Sequence, residues 1–214
     1  TNLDLIEYAI SKDYPLLISL GLADLGEIEQ VVNLIPEKCR PNITLLHCVS
    51  LYPPKDEIVN LKFMHTLTSA FGLNVGYSDH TLGVSISLAA VALGAKVIEK
   101  HFTLDKEMPG WDHKVSANPE EMAVISRETK RIVDSLGNGI KTISEEEFEK
   151  RKKFRRSITT KYVLQEGHVI SYDDILFKRP GTGISANRLK DVIGRRVNHT
   201  IEADKTLFWE DLIR

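Results

Sequence analysis

The sequence has 214 residues, with 28 Lys and Arg against 30 Asp and Glu, a formal net charge of -2 and 42% hydrophobic residues. This near-neutral balance excludes nucleic-acid binders and polybasic membrane binders that depend on positive charge. No apolar run approaches the roughly 18 to 20 residues of a membrane span. Two cysteines, Cys39 and Cys48, exclude a disulfide scaffold and favour the reducing cytoplasm.

The pattern of apolar residues predicts four strand and helix units in succession. Strands are predicted at Pro15 to Leu20, Ile43 to Val49, Leu73 to Tyr77 and Lys96 to Phe102. Helices are predicted to follow them at Leu25 to Ile35, Asp56 to Phe71, Val84 to Leu93 and Pro119 to Leu136. Such alternation is typical of parallel βαβ units, and continuously apolar strands are typical of a sheet covered on both faces.

Two of these helices carry more detailed signals. Asp56 to Phe71 has an apolar stripe, which consists of Ile58, Leu61, Met64 and Leu67. The last helix is preceded by the capping residue Asn118 and opens on Pro119. We therefore expect the first to be one continuous amphipathic helix and the second to begin sharply at its proline.

Two architectures fit this pattern, an open doubly wound sheet and part of a (βα) barrel. No Gly-rich phosphate loop follows any strand, which weighs against a nucleotide-binding open sheet. Polar residues instead gather at the predicted carboxyl ends of the strands, namely Ser19, His47, Ser50, Ser78, Asp79, His80, Glu99 and His101. The interpretation is an α/β fold with a partial TIM-type (βα) barrel of about four βα units, whose active site lies at that edge.

A complete barrel needs eight such units and roughly 250 residues. We therefore expect the first half of the barrel to be missing from this chain or to come from a partner. The predicted organisation is a half-barrel at residues 1–140, a charged linker at 141–156 and a small second domain at 157–214. The linker runs from acidic to basic residues, which favours a solvated helix over a phosphate site.

The strongest chemical signal is a pair of histidines at equivalent ends of consecutive strands. His80 and His101 are 21 positions apart, and the carboxylates Asp79 and Glu99 directly precede them. Neighbouring strands lie about 5 Å apart, so two imidazoles at such positions can share one divalent metal. An isolated histidine is more often a hydrogen-bonded core residue, but the pairing favours a metal site.

Three further positions allow more than one interpretation. His47 lies within an apolar strand and is either a third ligand or a buried structural histidine. A nucleophile and base pair of His47 with Cys48 is excluded, because adjacent strand residues point to opposite faces. Asp112, next to Trp111, either binds a sugar hydroxyl or is an exposed turn residue. Arg179 either recognises a polar ligand or is an ordinary surface arginine.

Five segments together resemble the sialic acid synthases, which make N-acetylneuraminate and related sugars such as legionaminate and pseudaminate. They lie in the family's order along almost the whole chain: His47-Cys48-Val49-Ser50-Leu51-Tyr52-Pro53, Gly76-Tyr77-Ser78-Asp79-His80-Thr81-Leu82-Gly83, Glu99-Lys100-His101-Phe102-Thr103-Leu104-Asp105, Pro109-Gly110-Trp111-Asp112-His113 and Lys178-Arg179-Pro180-Gly181-Thr182-Gly183.

This resemblance implies a TIM barrel followed by an antifreeze-like SAF domain. It also implies a cytoplasmic homodimer in which each SAF domain reaches over the partner's active site. The implied reaction condenses phosphoenolpyruvate with an N-acetylmannosamine-type amino sugar and releases phosphate. The implied cofactor is a divalent metal, usually Mn²⁺ with Mg²⁺ or Co²⁺ as alternatives, held by His80 and His101.

The resemblance also assigns roles to individual residues. Glu99 is implied to assist proton movement. Substrate contacts are implied for Ser19, Ser50 and Ser78 with the phosphate, for Tyr52 and Asp112 with the amino sugar, and for Arg179 with the substrate of the partner. The family's first four strands, which carry phosphate-binding lysines and a further carboxylate, have no counterpart here, so we expect the chain alone to be inactive or very weak.

Two other hypotheses remain at this stage. One is a non-catalytic carbohydrate- or partner-binding remnant of such an enzyme. The other is a different metal-dependent barrel aldolase, which would not explain the Lys178 to Gly183 segment. Neither the sugar precursor nor the origin of the short chain follows from the sequence.

Overall fold

The computed structural model describes residues 1–213 and divides the chain into two compact units. The N-terminal unit extends from Thr1 to Gly139, and the C-terminal unit begins at Ile140. Across residues 1–213, no helix is both long and apolar enough to cross a membrane.

The N-terminal unit is built on one parallel sheet of four strands in the order β1-β2-β3-β4. The strands are β1 (Leu16–Ser19), β2 (Ile43–Cys48), β3 (Asn74–Asp79) and β4 (Ile98–Lys100). The helices are α1 (Leu3–Ser11), α2 (Leu25–Asn33), α3 (Asp56–Val59), α4 (Phe63–Phe71), α5 (Ser85–Ala92) and α6 (Pro119–Leu136). The sheet is the curled half of a (βα) barrel, which confirms the predicted α/β fold.

Local capping explains where two of these helices begin. In α2 the Asp24 side chain accepts from the Glu27 amide while the Glu27 carboxylate accepts from the Asp24 amide. In α6 the side chain of Asn118 accepts from the amide of Glu121 in the same way, and Pro119 occupies the first turn. These reciprocal hydrogen bonds, called capping boxes, satisfy amides that have no partner inside the helix. The capping residues therefore determine where the two helices begin.

The predicted continuous helix from Asp56 to Phe71 is wrong in one respect. It is interrupted at Asn60, whose φ of 48° lies in the left-handed region, so α3 and α4 are separate helices. Ile58 is consequently 46% exposed, while Met64 and Leu67 of α4 are buried as predicted. A short polar side chain such as asparagine tolerates this backbone conformation better than most residues do.

The main core of the N-terminal unit lies between the sheet and its helices, and His47 is part of it. The His47 ring lies 5.4 Å from the ring of Phe63 and 5.7 Å from that of Tyr77. Its Nε2 donates to the carbonyl oxygen of Val59 at 2.7 Å. Burial lowers the pKa of His47, which this hydrogen bond only partly offsets.

The C-terminal unit starts with a charged helix and continues as a compact set of short elements. The antiparallel pairs are β5 (Ser157–Thr160) with β6 (Ile175–Lys178) and β7 (Arg196–Val197) with β8 (Leu212–Ile213), and the helices are α7 (Glu145–Phe154) and α8 (Leu189–Val192). Its core is aliphatic and includes Ile158, Leu164 and Leu207. Val169 forms a single isolated bridge, to Arg196.

We expect Gly76→Ala to destabilise the N-terminal unit by about 1–3 kcal/mol, because overpacking a closed sheet face has this cost. A Cβ atom on Gly76 in β3 would lie 2.6 Å from the carbonyl oxygen of Val97 and 2.7 Å from Cδ2 of Leu46. Gly26→Ala in α2 is the control, since its Cβ would meet only Asp24 at 3.4 Å. Urea unfolding should show a loss for Gly76→Ala alone; equal free energies of unfolding would contradict the close packing.

We expect the free energy of unfolding to fall as the pH drops below about 6.5, the ordinary pKa of histidine. Below that pH the unfolded chain protonates His47, whereas burial keeps the folded side chain neutral. His47→Gln keeps a donor for the Val59 carbonyl without a titrating ring and should reduce this slope between pH 5 and pH 7; the rest comes from His80, whose pKa burial also lowers. Replacing the exposed His65 by Gln is the control; an unchanged slope in His47→Gln would contradict the assignment.

Candidate functional site

The candidate site lies where β3 and β4 end side by side. Ser78 is in register with Glu99, and Asp79 with Lys100, so the residues that follow emerge together at the same edge. Because side chains alternate along a strand, Ser78 and His80 face one side and Asp79 faces the other. A cleft of about 260 Å³ opens there, lined by Ser78, His80, Glu99, Lys100 and His101.

The rings of His80 and His101 face one another across this cleft. Their centroids are 5.1 Å apart and their planes are inclined at 50°. With a metal–nitrogen bond of about 2.1 Å, two imidazoles on one ion have centroids roughly 4.5–5.3 Å apart. The separation of the two rings lies within this range.

The protonation of His80 also suits a ligand. Its Nδ1 lies 3.2 Å from the carbonyl oxygen of Val49, which can only accept, so Nδ1 carries the hydrogen and Nε2 is left with a lone pair. Burial lowers the pKa of His80, and the neighbouring His101 adds to that effect. A neutral ring with a fixed tautomer is the form in which histidine binds a metal.

Tyr52 covers both histidines. Its ring centroid lies 4.3 Å from that of His80 and 5.7 Å from that of His101, the latter in an edge-on contact. The side chain is half exposed, and desolvation together with nearby Cys48, Asp112 and Glu99 raises the pKa of its phenol. Tyr52 therefore remains a neutral hydroxyl group at the mouth of the cleft.

Ser78 and Glu99 contact each other directly. The hydroxyl of Ser78 donates to Oε1 of Glu99 at 2.7 Å. Ser78 is buried, whereas the exposed Glu99 lies in the cleft wall. This bond orients the carboxylate and leaves its second oxygen for another proton or hydroxyl group.

Asp112 approaches the site from the loop after β4. Its Oδ2 lies 3.9 Å from Nδ1 of His101, close enough for electrostatic support but too long for a hydrogen bond. The next residue, His113, anchors the loop through Nδ1 and the hydroxyl of Thr103, 2.8 Å apart. Trp111 is 97% exposed.

Two predicted serines lie at the end of β1 and beside the turn that follows it. Ser19 ends β1 and is exposed. The hydroxyl of Ser50 lies 3.9 Å from the sulfur of Cys48 and would be 3.3 Å from a Cβ atom on Gly21, in the turn after β1. The structure thus brings Ser50 close to this turn.

Arg179 lies in the C-terminal unit. Its Nε donates to the carbonyl oxygen of Phe154 at 3.0 Å, and its guanidinium lies 5.5 Å from the centre of the Phe154 ring. The side chain is therefore packed against the end of α7.

Sequence reasoning missed two features of the site. The sulfur of Cys48 lies 3.8 Å from Nδ1 of His80, so the thiol contacts the ring even though it cannot reach His47. Asp79 and Lys100 form a buried ion pair with a nitrogen–oxygen distance of 2.9 Å. The signal was present, because these two residues are 21 positions apart, the same spacing as the two histidines.

The donor set is small. Within residues 1–213, no group of three or more His, Cys, Asp or Glu side chains is arranged to hold a metal. His47, the possible third ligand, is turned into the core and bonded to Val59. Two imidazoles would suit an open site, in which water and substrate oxygen would complete the coordination of a divalent ion.

Comparison with known proteins shows the family of the chain. The NeuB family profile matches residues 1–141, and the SAF domain profile matches residues 155–213. The chain is 41% identical to the N,N'-diacetyllegionaminic acid synthase of Legionella pneumophila, over 99% of this chain and 61% of that protein. It is 43% identical to the synthase of the same name from Campylobacter jejuni, over 97% and 63%.

A solved structure is also similar. It is the N-acetylneuraminic acid (sialic acid) synthetase of Leptospira borgpetersenii in complex with citrate, 40% identical, with a TM-score of 0.64 over 70% of this chain and 52% of that one. The chain thus spans somewhat less than two thirds of the length of the two legionaminic acid synthases. From the profiles, the relatives and the fold together, the chain belongs to the NeuB family of sialic acid synthases and carries a SAF domain.

Proposed function

We propose that this chain forms part of a nonulosonic acid synthase that condenses phosphoenolpyruvate with an N-acetylmannosamine-type amino sugar and releases phosphate. The observation that carries the proposal is the pair of facing imidazoles, His80 and His101, 5.1 Å apart at the carboxyl edge of the half-barrel. The names of the relatives, which are legionaminic acid synthases, support the same class of reaction.

His80 and His101 would hold the divalent metal. When bound, such an ion supplies Lewis-acid polarisation of a carbonyl oxygen. We propose Mn²⁺ or Co²⁺ rather than Mg²⁺, because Mg²⁺ prefers a shell of oxygen ligands. The Val49 carbonyl keeps the His80 ring in one tautomer, and the Tyr52 ring contacts both imidazoles.

The overall change forms one carbon–carbon bond and one carbon–oxygen bond from water, and it breaks the carbon–oxygen bond to phosphate. The enol carbon of phosphoenolpyruvate attacks the aldehyde carbon of the sugar, whose oxygen takes up a proton and becomes a hydroxyl group. Water adds at the resulting cationic carbon and loses a proton, and phosphate leaves as the new hydroxyl group becomes the keto oxygen. Glu99 is proposed to take up the proton released by that water, since the Ser78 hydroxyl occupies only one of its carboxylate oxygens.

Substrate contacts are proposed for the remaining residues. Ser19 and Ser50, near the turn after β1, would contact the phosphate of phosphoenolpyruvate, and Ser78 would exchange its bond to Glu99 for one to the same phosphate. Tyr52 and Asp112 would contact the amino sugar from the mouth of the cleft. These roles agree with hydroxyl groups that donate to an anion and with a carboxylate that accepts from sugar hydroxyls.

The assembly is proposed to be a cytoplasmic homodimer in which the SAF domain of one subunit covers the active site of the other. Arg179 would then contact the substrate of the partner. The proposed organisation is a half-barrel at residues 1–140, a linker at 141–156 and the SAF domain at 157–214. The position of α7 (Glu145–Phe154), an exposed charged helix, supports a linker there.

We expect the 214-residue chain to bind Co²⁺ or Mn²⁺, and His80→Ala or His101→Ala to weaken that binding at least 100-fold, because each removes one of two nitrogen ligands. Calorimetry with the metal salt alone measures this directly. His65→Ala, on the exposed face of α4, is the control. Unchanged metal binding in both His80→Ala and His101→Ala would rule out these two histidines as the metal ligands.

We expect phosphate release only when the missing half of the barrel is supplied. The chain should be assayed with phosphoenolpyruvate, an N-acetylmannosamine-type sugar and Mn²⁺, alone and fused behind the part of the Legionella pneumophila relative that it does not span. The fusion should turn over, and Glu99→Gln in it should lower kcat by about 100-fold or more, as loss of a general base does.

The same fusion carrying His80→Ala is the control for metal dependence. A fusion that folds and binds metal but releases no phosphate would support the alternative, a non-catalytic carbohydrate- or partner-binding remnant.

A further inference from the structure

We propose that the buried ion pair of Asp79 and Lys100 is a positioning device that sets the separation of the His80 and His101 rings; the inference rests on the metal-binding role proposed for those rings. Neither Asp79 nor Lys100 takes part in the proposed chemistry. Their effect would pass through the backbone on which the two histidines are mounted.

The pair closes the contact between β3 and β4 at its last position. Asp79 and Lys100 are the final register partners of the two strands, so each histidine is the first residue beyond the ladder. The side chains are 0% and 1% exposed, and Lys100 Nζ lies 2.9 Å from Oδ2 of Asp79. This buried charge pair holds the ends of β3 and β4 at a fixed distance, at the point where the backbone hydrogen bonds between the two strands stop.

Both members of the pair also bind the residue after His80. Lys100 Nζ donates to the carbonyl oxygen of Thr81 at 2.6 Å. The Oδ1 atom of Asp79 accepts from the amide and from the hydroxyl of Thr81, each at 2.8 Å. His80 is therefore held between two residues whose polar groups are bonded to one another, which restricts the direction of its side chain.

The network extends into the neighbouring helix. The hydroxyl of Ser87 in α5 donates to Oδ2 of Asp79 at 2.5 Å. On the other strand, the amide of Ala117 donates to the carbonyl oxygen of His101 at 2.7 Å, directly after Lys100. The backbone at each histidine is thus held by its own hydrogen bonds, and the Asp79–Lys100 contact links the two sets of bonds.

Stability alone is a poor explanation for this arrangement. Removing two charges from water opposes folding, and well-packed apolar residues often stabilise a core as well as a buried ion pair does. A buried pair that is fully bonded instead favours one arrangement of its surroundings. Here the ion pair fixes the backbone that carries the two proposed ligands, His80 and His101.

The test is Lys100→Met in the 214-residue chain, with Co²⁺ as the probe. Orientation of metal ligands by surrounding groups is worth about 10- to 100-fold in affinity, and we expect a loss in that range. The visible absorption spectrum of bound Co²⁺ should change as well. Lys106→Met is the matched control, because it removes a partly exposed ion pair with Glu121; its affinity should stay within about twofold of the original chain.

A second readout does not depend on metal. The Tyr52 ring lies 4.3 Å from the His80 ring and shifts the resonances of its carbon-bound protons. In Lys100→Met these NMR shifts should move towards free histidine, while the control should preserve them. Should the original chain bind no Co²⁺, the proposed metal function fails, and the NMR shifts still decide whether the pair positions His80.

A milder variant covers the case in which Lys100→Met does not fold. Ser87→Ala removes one of the bonds to Asp79 and leaves the ion pair in place. We expect it to weaken Co²⁺ binding severalfold and to move the His80 shifts in the same direction. A folded Lys100→Met with original affinity and shifts would overturn the inference, and so would an unaffected Ser87→Ala if Lys100→Met is unfolded.

Discussion

The candidate site depends on the in-register parallel pairing of β3 and β4. That pairing brings residues 21 positions apart in the chain side by side, among them Ser78 with Glu99, Asp79 with Lys100 and, just beyond the ladder, His80 with His101. A slip of one residue would turn the histidines away from the cleft. Gly76 in β3 has no space for a side chain, so the sheet is closely packed just before this edge.

Strand alternation then divides the chemistry between two environments. On the cleft side, burial lowers the pKa of His80 and thereby favours the neutral ring that a metal requires. Asp79 and Lys100 instead form a buried ion pair, and hydroxyl and backbone groups complete their hydrogen bonds. Adjacent residues on each strand therefore serve different purposes: His80 and His101 lie in the cleft, while Asp79 and Lys100 form the buried ion pair beside it.

The sequence predicted those parts of the structure that local patterns determine. The strands, the start of α6 at Pro119 and the His80–His101 pair follow from apolar runs, capping and spacing. The interruption at Asn60 did not, because one residue in a left-handed conformation does not disturb an apolar stripe. The role of His47 and the Asp79–Lys100 pair depend on contacts between distant segments, such as the Val59 carbonyl, which no local pattern contains.

The two ligands, their tautomer-fixing carbonyl and their buried support all lie between β2 and the residues after β4. The proposed metal site therefore needs only consecutive units of the half-barrel. The proposed binding of phosphoenolpyruvate is different, since a dianionic phosphate needs cationic partners, and the cleft lining contributes only Lys100, which Asp79 already neutralises. Within residues 1–213, β1 and β4 each pair with a single strand of the sheet. In the proposed function, the positive charge that the phosphate still needs would come from strands that pair with those open edges. Metal binding would then need only this half-barrel, whereas turnover would need the complete barrel.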